Sequence, residues 1–392
     1  MTRSEPLNHI VWVNEIAAPV GGCEAYVLKT AKHLSARGVR STLLYDPGRP
    51  VSAEFVRGFD AAFPLVEPAV QLLSIAPDLV YVHRLGGVKA TRAIAQGGIP
   101  VVRFFHDHRL FCLREHKYTA IGHKTCERPL GAHCLVCPGF IRRAERWPHV
   151  AWSSLPGLQK ELAANRMFSD FVVGSSYMAN HVAEHGFEPR RIHTLPLYAE
   201  PPVNDGVVGH EPDLVVFLGQ LVRGKGVDVL LDAFARLRTP ARLAILGTGR
   251  QEQELRQQSA RLGLRARVSF LGSADQAAKS EYLRRAAVIA VPSRVPETFA
   301  LVGPEAMRYG TPVVASRVGG IEEWLCDGVT GLAVPPGDPG ALASALDRLV
   351  GDVTLATRLG NAGLRAYQER FTPEHHVSSL IALFQEITRK TP

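Results

Sequence analysis

The chain has 392 residues, 46% of them hydrophobic and 21% charged, with 35 glycines, 27 prolines and a formal net charge of +8 at pH 7. That balance suits two or three packed domains and excludes a disordered, collagen-like or coiled-coil chain. No apolar run reaches the roughly 20 residues of a membrane helix, and Glu5, Asn8, Asn14 and Glu15 interrupt the start, so a cytoplasmic protein without signal peptide is expected.

In chain order, short β-branched runs at Ile10–Val13, Ser41–Tyr45, Leu79–His83, Pro100–Phe105, Asp170–Val173 and Ile192–Leu197 predict strands. Helices fit between them; in Glu24–Arg37 the residues Ala25, Leu28, Ala31 and Leu34 keep the helical period. Pro196–Asp213 is rich in Pro, Gly and Asp without periodicity, and predicts a linker at 201–212. The alternation then restarts. Strands are predicted at Leu214–Leu218, Leu243–Leu246, Val268–Leu271, Val288–Val291 and Pro312–Ser316, with helices Val227–Arg236, Gln251–Leu262, Gln276–Ala286 and Phe299–Arg308 among them. Helices at Leu342–Leu349, Thr354–Arg370 and Pro373–Thr388 close the chain. Continuous apolar strands alternating with helices imply parallel sheets covered on both faces. The expected class is α/β: two doubly wound Rossmann-like domains, 1–200 and 213–370, facing each other across a ligand cleft, with a helix over 371–392 returning to the first.

Several loops have the composition of ligand sites. Gly21-Gly22 follows the first strand and precedes the first helix, where glycines permit close backbone approach and a helix start offers free N–H groups to phosphate. Gly219-Gln220-Leu221-Val222-Arg223-Gly224-Lys225-Gly226 almost spells a P-loop, but Gly226 stands where the magnesium-binding hydroxyl belongs. Lys225, with Arg223 beside it, can still meet a diphosphate. Gly247-Thr248-Gly249 lacks the third glycine of a dinucleotide fingerprint, since Glu252 occupies its place, and Gly174-Ser175-Ser176 lacks the second glycine of a nucleophile elbow. Glu297 and Glu305 bracket a strand–loop–helix unit; with Phe299 as its helical start, Glu297 sits in the loop and Glu305 about two turns in. A carboxylate accepts two hydrogen bonds from vicinal sugar hydroxyls.

Residues 213–349 resemble the C-terminal domain of retaining glycosyltransferases of family 4, which have the GT-B fold. The resemblance rests on VVFLGQLVRGKGVDVLLDAFARL, LAILGTG, VSFLG, AVIAVPSRVPETFALVGPEAM and YGTPVVASRVGGIEEWLCDGVTGLAVPPGDPGALASAL. GGCEAYVLKTAKHLSARG, APDLVYVH, FFHDHRLFC and DFVVGSSYMANHVAEHG extend it more loosely over the first half. It implies a hexosyltransferase-like enzyme that moves a sugar from a UDP- or GDP-sugar with retention and needs no metal for its chemistry. Glu305 would bind the ribose hydroxyls. Glu297 and the loop of Thr298, Phe299, Ala300 and Leu301 would hold the donor sugar, Lys225 the diphosphate, and Gly21 and Gly22 the phosphates from the first domain. His106 would lie near the reacting sugar. The family usually has Arg where this chain has Gln220, a charge that Arg223 can supply, and Pro-Asn-Gly where it has Pro196-Leu197-Tyr198.

The segment 106–146 holds Cys112, Cys126, Cys134 and Cys137 among His106, His108, His116, His123 and His133. The closing C-x2-C has zinc-knuckle spacing within an otherwise irregular pattern, which leaves a structural zinc and four unpaired thiols as the alternatives. Cys23 and Cys326 read as unrelated to that group. Arg103 to Arg146 carries nine basic and four acidic residues, +5 of the net +8, interleaved with Phe104, Phe105, Phe111, Tyr118, Phe140 and Trp147. Such a mixture suits an anionic lipid surface. The expectation is therefore an enzyme of polysaccharide biosynthesis, peripheral on the inner face of the cytoplasmic membrane, acting on a glycan, lipid-linked or metabolite acceptor. A nucleotide-sugar epimerase and a Cys/His-dependent nucleic-acid-binding protein are the alternatives; the second lacks a recognisable binding motif and leaves the glutamate pair unused.

Overall fold

The computed structural model describes residues 7–119, 125–137, 140–143, 150–202 and 209–390. The middle of the predicted linker, His123, Arg146 and Trp147 lie outside them. The chain forms two compact units. The first comprises residues 1–115, 127–195 and 373–392, the second residues 116–126 and 196–372.

The first unit is built on strands His9–Asn14 (β1), Arg40–Tyr45 (β2), Ala61–Pro64 (β3), Leu79–Arg84 (β4) and Val101–Phe105 (β5). A small antiparallel hairpin, Ile141–Arg143 (β6) with Val150–Trp152 (β7), follows, then Asp170–Val173 (β8) and Ile192–Thr194 (β9). The seven-stranded sheet is parallel in the order β3-β2-β1-β4-β5-β8-β9. Every residue of β1 and β5 is buried, as strands covered on both faces require. The strand order reverses between β1 and β4, which places the loops after both strands at a switch point, where ligands of open α/β sheets bind. The helix Pro373–Lys390 belongs to this unit through its contact with the helix Gly22–Ser35, where Tyr26 Oη lies 2.8 Å from His376 Nε2.

In the second unit Glu211–Leu218 (β10), Arg242–Leu246 (β11), Val268–Gly272 (β12), Ala286–Val291 (β13), Val313–Ser316 (β14) and Gly331–Val334 (β15) form a parallel sheet in the order β12-β11-β10-β13-β14-β15. One apolar cluster, including Val215, Leu230, Ile245 and Leu346, covers one face; another, including Val216, Ile289, Met307 and Trp324, covers the other. The order reverses between β10 and β13, so the loops after these two strands meet at the switch point.

The structure corrects several expectations. Four strands escape the sequence pattern. Ala61–Pro64 is a four-residue edge strand with no buried residue, Gly331–Val334 begins with a glycine, and the two strands of the β6–β7 hairpin are short. β10 begins at Glu211, inside the predicted linker, where Glu211 and Asp213 both pair with Arg242. The helix expected from Phe299 starts only at Val302, because Ala300 has φ of 61°, a left-handed conformation that breaks the helical path. Glu305 therefore stands in the first turn of that helix, not two turns in.

Candidate functional site

In the second unit the loop after β10, residues 219–226, threads between two others with backbone packed on backbone. A Cβ on Gly247 would lie 1.8 Å from the Gly219 carbonyl oxygen, and one on Gly249 2.4 Å from that of Leu221. The Gly-Thr-Gly run is thus a steric requirement of loop crossing, and Leu221 N–H donates to the Thr248 carbonyl at 2.9 Å. On the other side, Gly226 has φ of 69° and would place a Cβ 1.9 Å from the Pro292 carbonyl oxygen. Arg294 N–H donates to the Gly224 carbonyl at 2.8 Å, and Arg294 pairs with Asp228 at 2.7 Å. Thr125 Oγ1 donates to the Arg294 carbonyl at 2.9 Å.

This stitching brings Lys225 and Glu297 together across 72 positions of sequence. Lys225 Nζ donates to both carboxylate oxygens of Glu297, at 2.8 and 3.0 Å. Buried Ser293 donates its hydroxyl to Oε1 of the same carboxylate at 2.6 Å. The Glu297 backbone is clamped in turn: Gly320 N–H donates to its carbonyl at 2.6 Å, and Gly319, with φ of 57°, leaves no room for a Cβ beside it. Thr298, Phe299, Ala300 and Leu301 form the loop that follows. Phe299 is buried, and its carbonyl accepts from Trp324 Nε1 at 2.7 Å. Gly303 admits Trp324, whose ring would meet a Cβ there at 2.4 Å. Gln220 and Arg223 are exposed on the same loop as Lys225. Ser293, Gly319, Gly320 and Trp324 went unassigned in the sequence; a Pro-Ser step after β13 and a Gly-Gly step after β14 were their only local signals.

In the first unit, Gly21 and Gly22 are exposed at the start of the helix Gly22–Ser35, which has no side-chain cap. A Cβ on Gly22 would meet open space, so the helix start presents bare backbone. Just inside, the buried Glu24 carboxylate lies 3.0 Å from Arg84. A pocket of about 340 Å³ opens beside the ends of β4 and β5, lined among others by Glu15, His83, Arg84, His106, Asp107, Arg109 and Trp152. His106 Nε2 lies 2.8 Å from His83 Nδ1, and the His106 ring stacks on Phe104 at 4.0 Å. Burial holds both imidazoles well below their ordinary pKa, and the opposing ring (for His83) and Arg84 (for His106) lower them further. Both rings are therefore neutral at pH 7.

The cysteine expectation fares differently. Cys112, Cys134 and Cys137 belong to the first unit and Cys126 to the second. Among the described residues they do not gather at metal-ligand distance; Cys23, His83 and His106 do. The basic–aromatic stretch is likewise not one surface. Arg103 is buried and donates to Asn165 at 2.5 Å, and Lys117, Phe104, Phe105, Phe111 and Tyr118 are buried too. Among the described residues, the large exposed apolar side chains of that region are instead Leu135, Val136, Ile141 and Trp152, with Val136 at 83%. No described helix is long and apolar enough to cross a membrane. Ser175 caps the helix Ser176–Glu184 by accepting from Met178 N–H, a structural use of the Gly-Ser-Ser run.

Comparison with known proteins matches residues 204–366 to the family described as glycosyl transferases group 1 and residues 20–197 to glycosyltransferase family 4. The chain is 37% identical over 185 residues to a D-inositol 3-phosphate glycosyltransferase of Jonesia denitrificans, covering 45% of this chain and 43% of that protein. It is 41% identical over 156 residues to a phosphatidyl-myo-inositol mannosyltransferase of Mycobacterium leprae, covering 39% and 41%. The matched stretch thus spans less than half the length of these curated relatives. Among solved structures, Anabaena HepE in complex with UDP and glucose superposes with a TM-score of 0.71 at 19% identity, over 97% of this chain and all of that one. Sucrose-phosphate synthase from Thermosynechococcus elongatus does so at 0.71 and 21%, over 98% and 100%.

Proposed function

Because this chain belongs to the group 1, family 4 glycosyltransferases, with both units matched in order, we propose that it transfers a sugar from a nucleotide sugar to an acceptor hydroxyl with retention of configuration. The observation that carries the reading is the Lys225–Glu297–Ser293 constellation, held by glycine-dependent backbone contacts at the switch point of the second sheet. Breaking the bond between the anomeric carbon and the phosphate oxygen leaves the electron pair, and the growing negative charge, on the departing diphosphate. In this reading Lys225, held in position by Glu297, and the loop amides of Thr298–Leu301 meet that charge, so little reorganisation is needed as it develops. Glu297 accepts hydroxyls of the donor sugar and Glu305 those of the ribose. Arg223 supplies the second cation in the place left by Gln220. The relative with UDP and glucose bound supports a UDP-sugar as the first donor to test.

The acceptor belongs in the first unit's pocket, where the neutral His106 lines the wall, and the bare helix start at Gly21-Gly22 offers backbone N–H groups to the donor phosphates. The pocket's rim favours a lipid-linked acceptor: Trp152 lines the pocket while 71% exposed, near Leu135, Val136 and Ile141 in the chain. This reading places the enzyme on an anionic membrane surface at the cytoplasmic face. The deciding experiment is a thermal-shift screen of UDP-, GDP-, ADP- and TDP-sugars, followed by product analysis with the donor that binds. A specific donor at 100 times its Kd adds about 2.7 kcal/mol of stability. No stabilisation by any of the four classes refutes the proposal.

A further inference from the structure

We propose that His83 is a positioning residue that fixes His106 in the tautomer with its proton on Nδ1. The pairing follows from the sheet. Alternate side chains along a strand share a face, so Tyr81 and His83 of β4 stand beside Phe104 of β5 and His106, the residue after it. Trp12 of β1 stacks on His83 at 5.4 Å with the rings 10° from parallel, and Phe104 stacks on His106 at 4.0 Å. Stacking holds both ring planes, and the 2.8 Å between His83 Nδ1 and His106 Nε2 makes them a hydrogen-bonded pair.

Each ring is neutral, chiefly because burial disfavours its charge, so each carries a single proton. One nitrogen of the pair must therefore donate and the other accept. Two proton placements satisfy this, and His83 Nε2 separates them. If His106 donated from Nε2, His83 would have to carry its own proton on Nε2. That atom is buried without a hydrogen-bond partner, in a residue only 3% exposed. A buried N–H without an acceptor is rare, because the donor gives up water and gains nothing in return; an unpaired acceptor is better tolerated. His83 therefore donates from Nδ1 and leaves Nε2 as a bare lone pair. His106 accepts at Nε2 and keeps its proton on Nδ1.

This placement limits what His106 can do. His106 lines the pocket, and its Nε2 is engaged by His83. The ring can then offer a substrate oxygen only the Nδ1 N–H, so it serves as a hydrogen-bond donor and not as a base. That role rests on the transferase reading, whereas the tautomer can be observed without any substrate.

The test reads the tautomers directly. Proton–nitrogen correlation spectra of the full-length protein carrying isotope-labelled histidine, recorded at neutral pH without ligand, show which nitrogen of each ring is protonated. His83→Asn and His106→Gln assign the two rings by loss of their signals. Both rings are expected to be protonated at Nδ1 and bare at Nε2. In His83→Phe, which cannot donate, the His106 proton should redistribute toward Nε2, and kcat should fall about tenfold, the worth of one hydrogen bond, with the donor KM nearly unchanged. His83→Asn, whose side-chain amide N–H stands in for Nδ1–H, should return the proton to His106 Nδ1 and recover most of the lost kcat. A protonated Nε2 on His83 overturns the inference. So does an unchanged His106 tautomer in His83→Phe, or a kcat in His83→Asn no higher than in His83→Phe. Circular dichroism checks folding; should His83→Phe not fold, the wild-type and His83→Asn spectra decide. Absence of turnover with every donor counts against the transferase reading alone, and the spectra still judge the tautomer.

Discussion

Lys225→Ala and Glu297→Gln together separate the roles assigned to the second unit's ion pair. Lys225 is 32% exposed and Glu297 11%, and two hydrogen bonds join them. At 2.8 Å the bare Coulomb term runs from about 1.5 kcal/mol in water to about 6 at an effective dielectric of 20. Solvent screening and side-chain ordering reduce the net value, so either substitution should cost the fold only about 1 kcal/mol. Ligand binding should respond more. A diphosphate that loses a charge-assisted hydrogen bond to Lys225 loses about 1.5–3 kcal/mol, roughly ten- to hundredfold in affinity. Lys225→Ala should therefore weaken the nucleoside diphosphate and the nucleotide sugar alike. Glu297→Gln should weaken the nucleotide sugar about tenfold while leaving the diphosphate at least as tight, because it releases Lys225 from its present partner. Isothermal titration of both variants with both ligands gives four ratios. Wild-type diphosphate affinity in Lys225→Ala, or equal losses of the two ligands in Glu297→Gln, refutes this division of labour.

Gly226→Ala should destabilise the second unit by at least 3 kcal/mol, because it adds a Cβ 1.9 Å from a carbonyl oxygen at φ of 69°; an unchanged thermal midpoint would show that the loops are not packed as described. His83 and His106 stay neutral in the folded protein while the unfolded chain protonates below about pH 6.5, so their contribution is full above that pH and is lost as pH falls. Each costs up to about 1.4 kcal/mol per pH unit in that window, and His83→Phe should flatten the slope of stability between pH 7 and 5; an unchanged slope contradicts the assignment. Vesicles containing anionic lipid should sediment the protein at low salt, with recovery reduced by Val136→Ser and Ile141→Ser together; equal supernatant recovery with and without anionic lipid leaves the acceptor non-membranous. Trp152→Ala should raise the acceptor KM severalfold with donor affinity intact, and a change in donor affinity instead would remove Trp152 from the acceptor pocket.

Local pattern was enough for the two-sheet α/β architecture, because a strand buried on both faces must be apolar throughout, as β1, β5 and β13 nearly are, whatever packs on it. The edges were illegible for the same reason. β3 buries nothing, so no hydrophobic pattern marks it. The loop motifs around Lys225 and Glu297 could be read as ligand-binding, since glycines and charges after a strand have few other uses. Their bidentate pairing could not, because it depends on Gly226, Gly224 and Gly319 letting three distant backbones touch. The early break at Ala300 was hidden as well, since alanine is a good helix former and tertiary contacts through Phe299 and Trp324 override that preference. Burial decided the rest. The phenylalanines of a basic stretch could face lipid or core, and the fold sends Phe104, Phe105 and Phe111 inward while leaving Val136 and Trp152 outside. Cysteine spacing favoured residues 112–137, whereas the tertiary structure gathers Cys23 with two histidines 60 and 83 positions away, since a parallel sheet brings the ends of separate strands together at one edge.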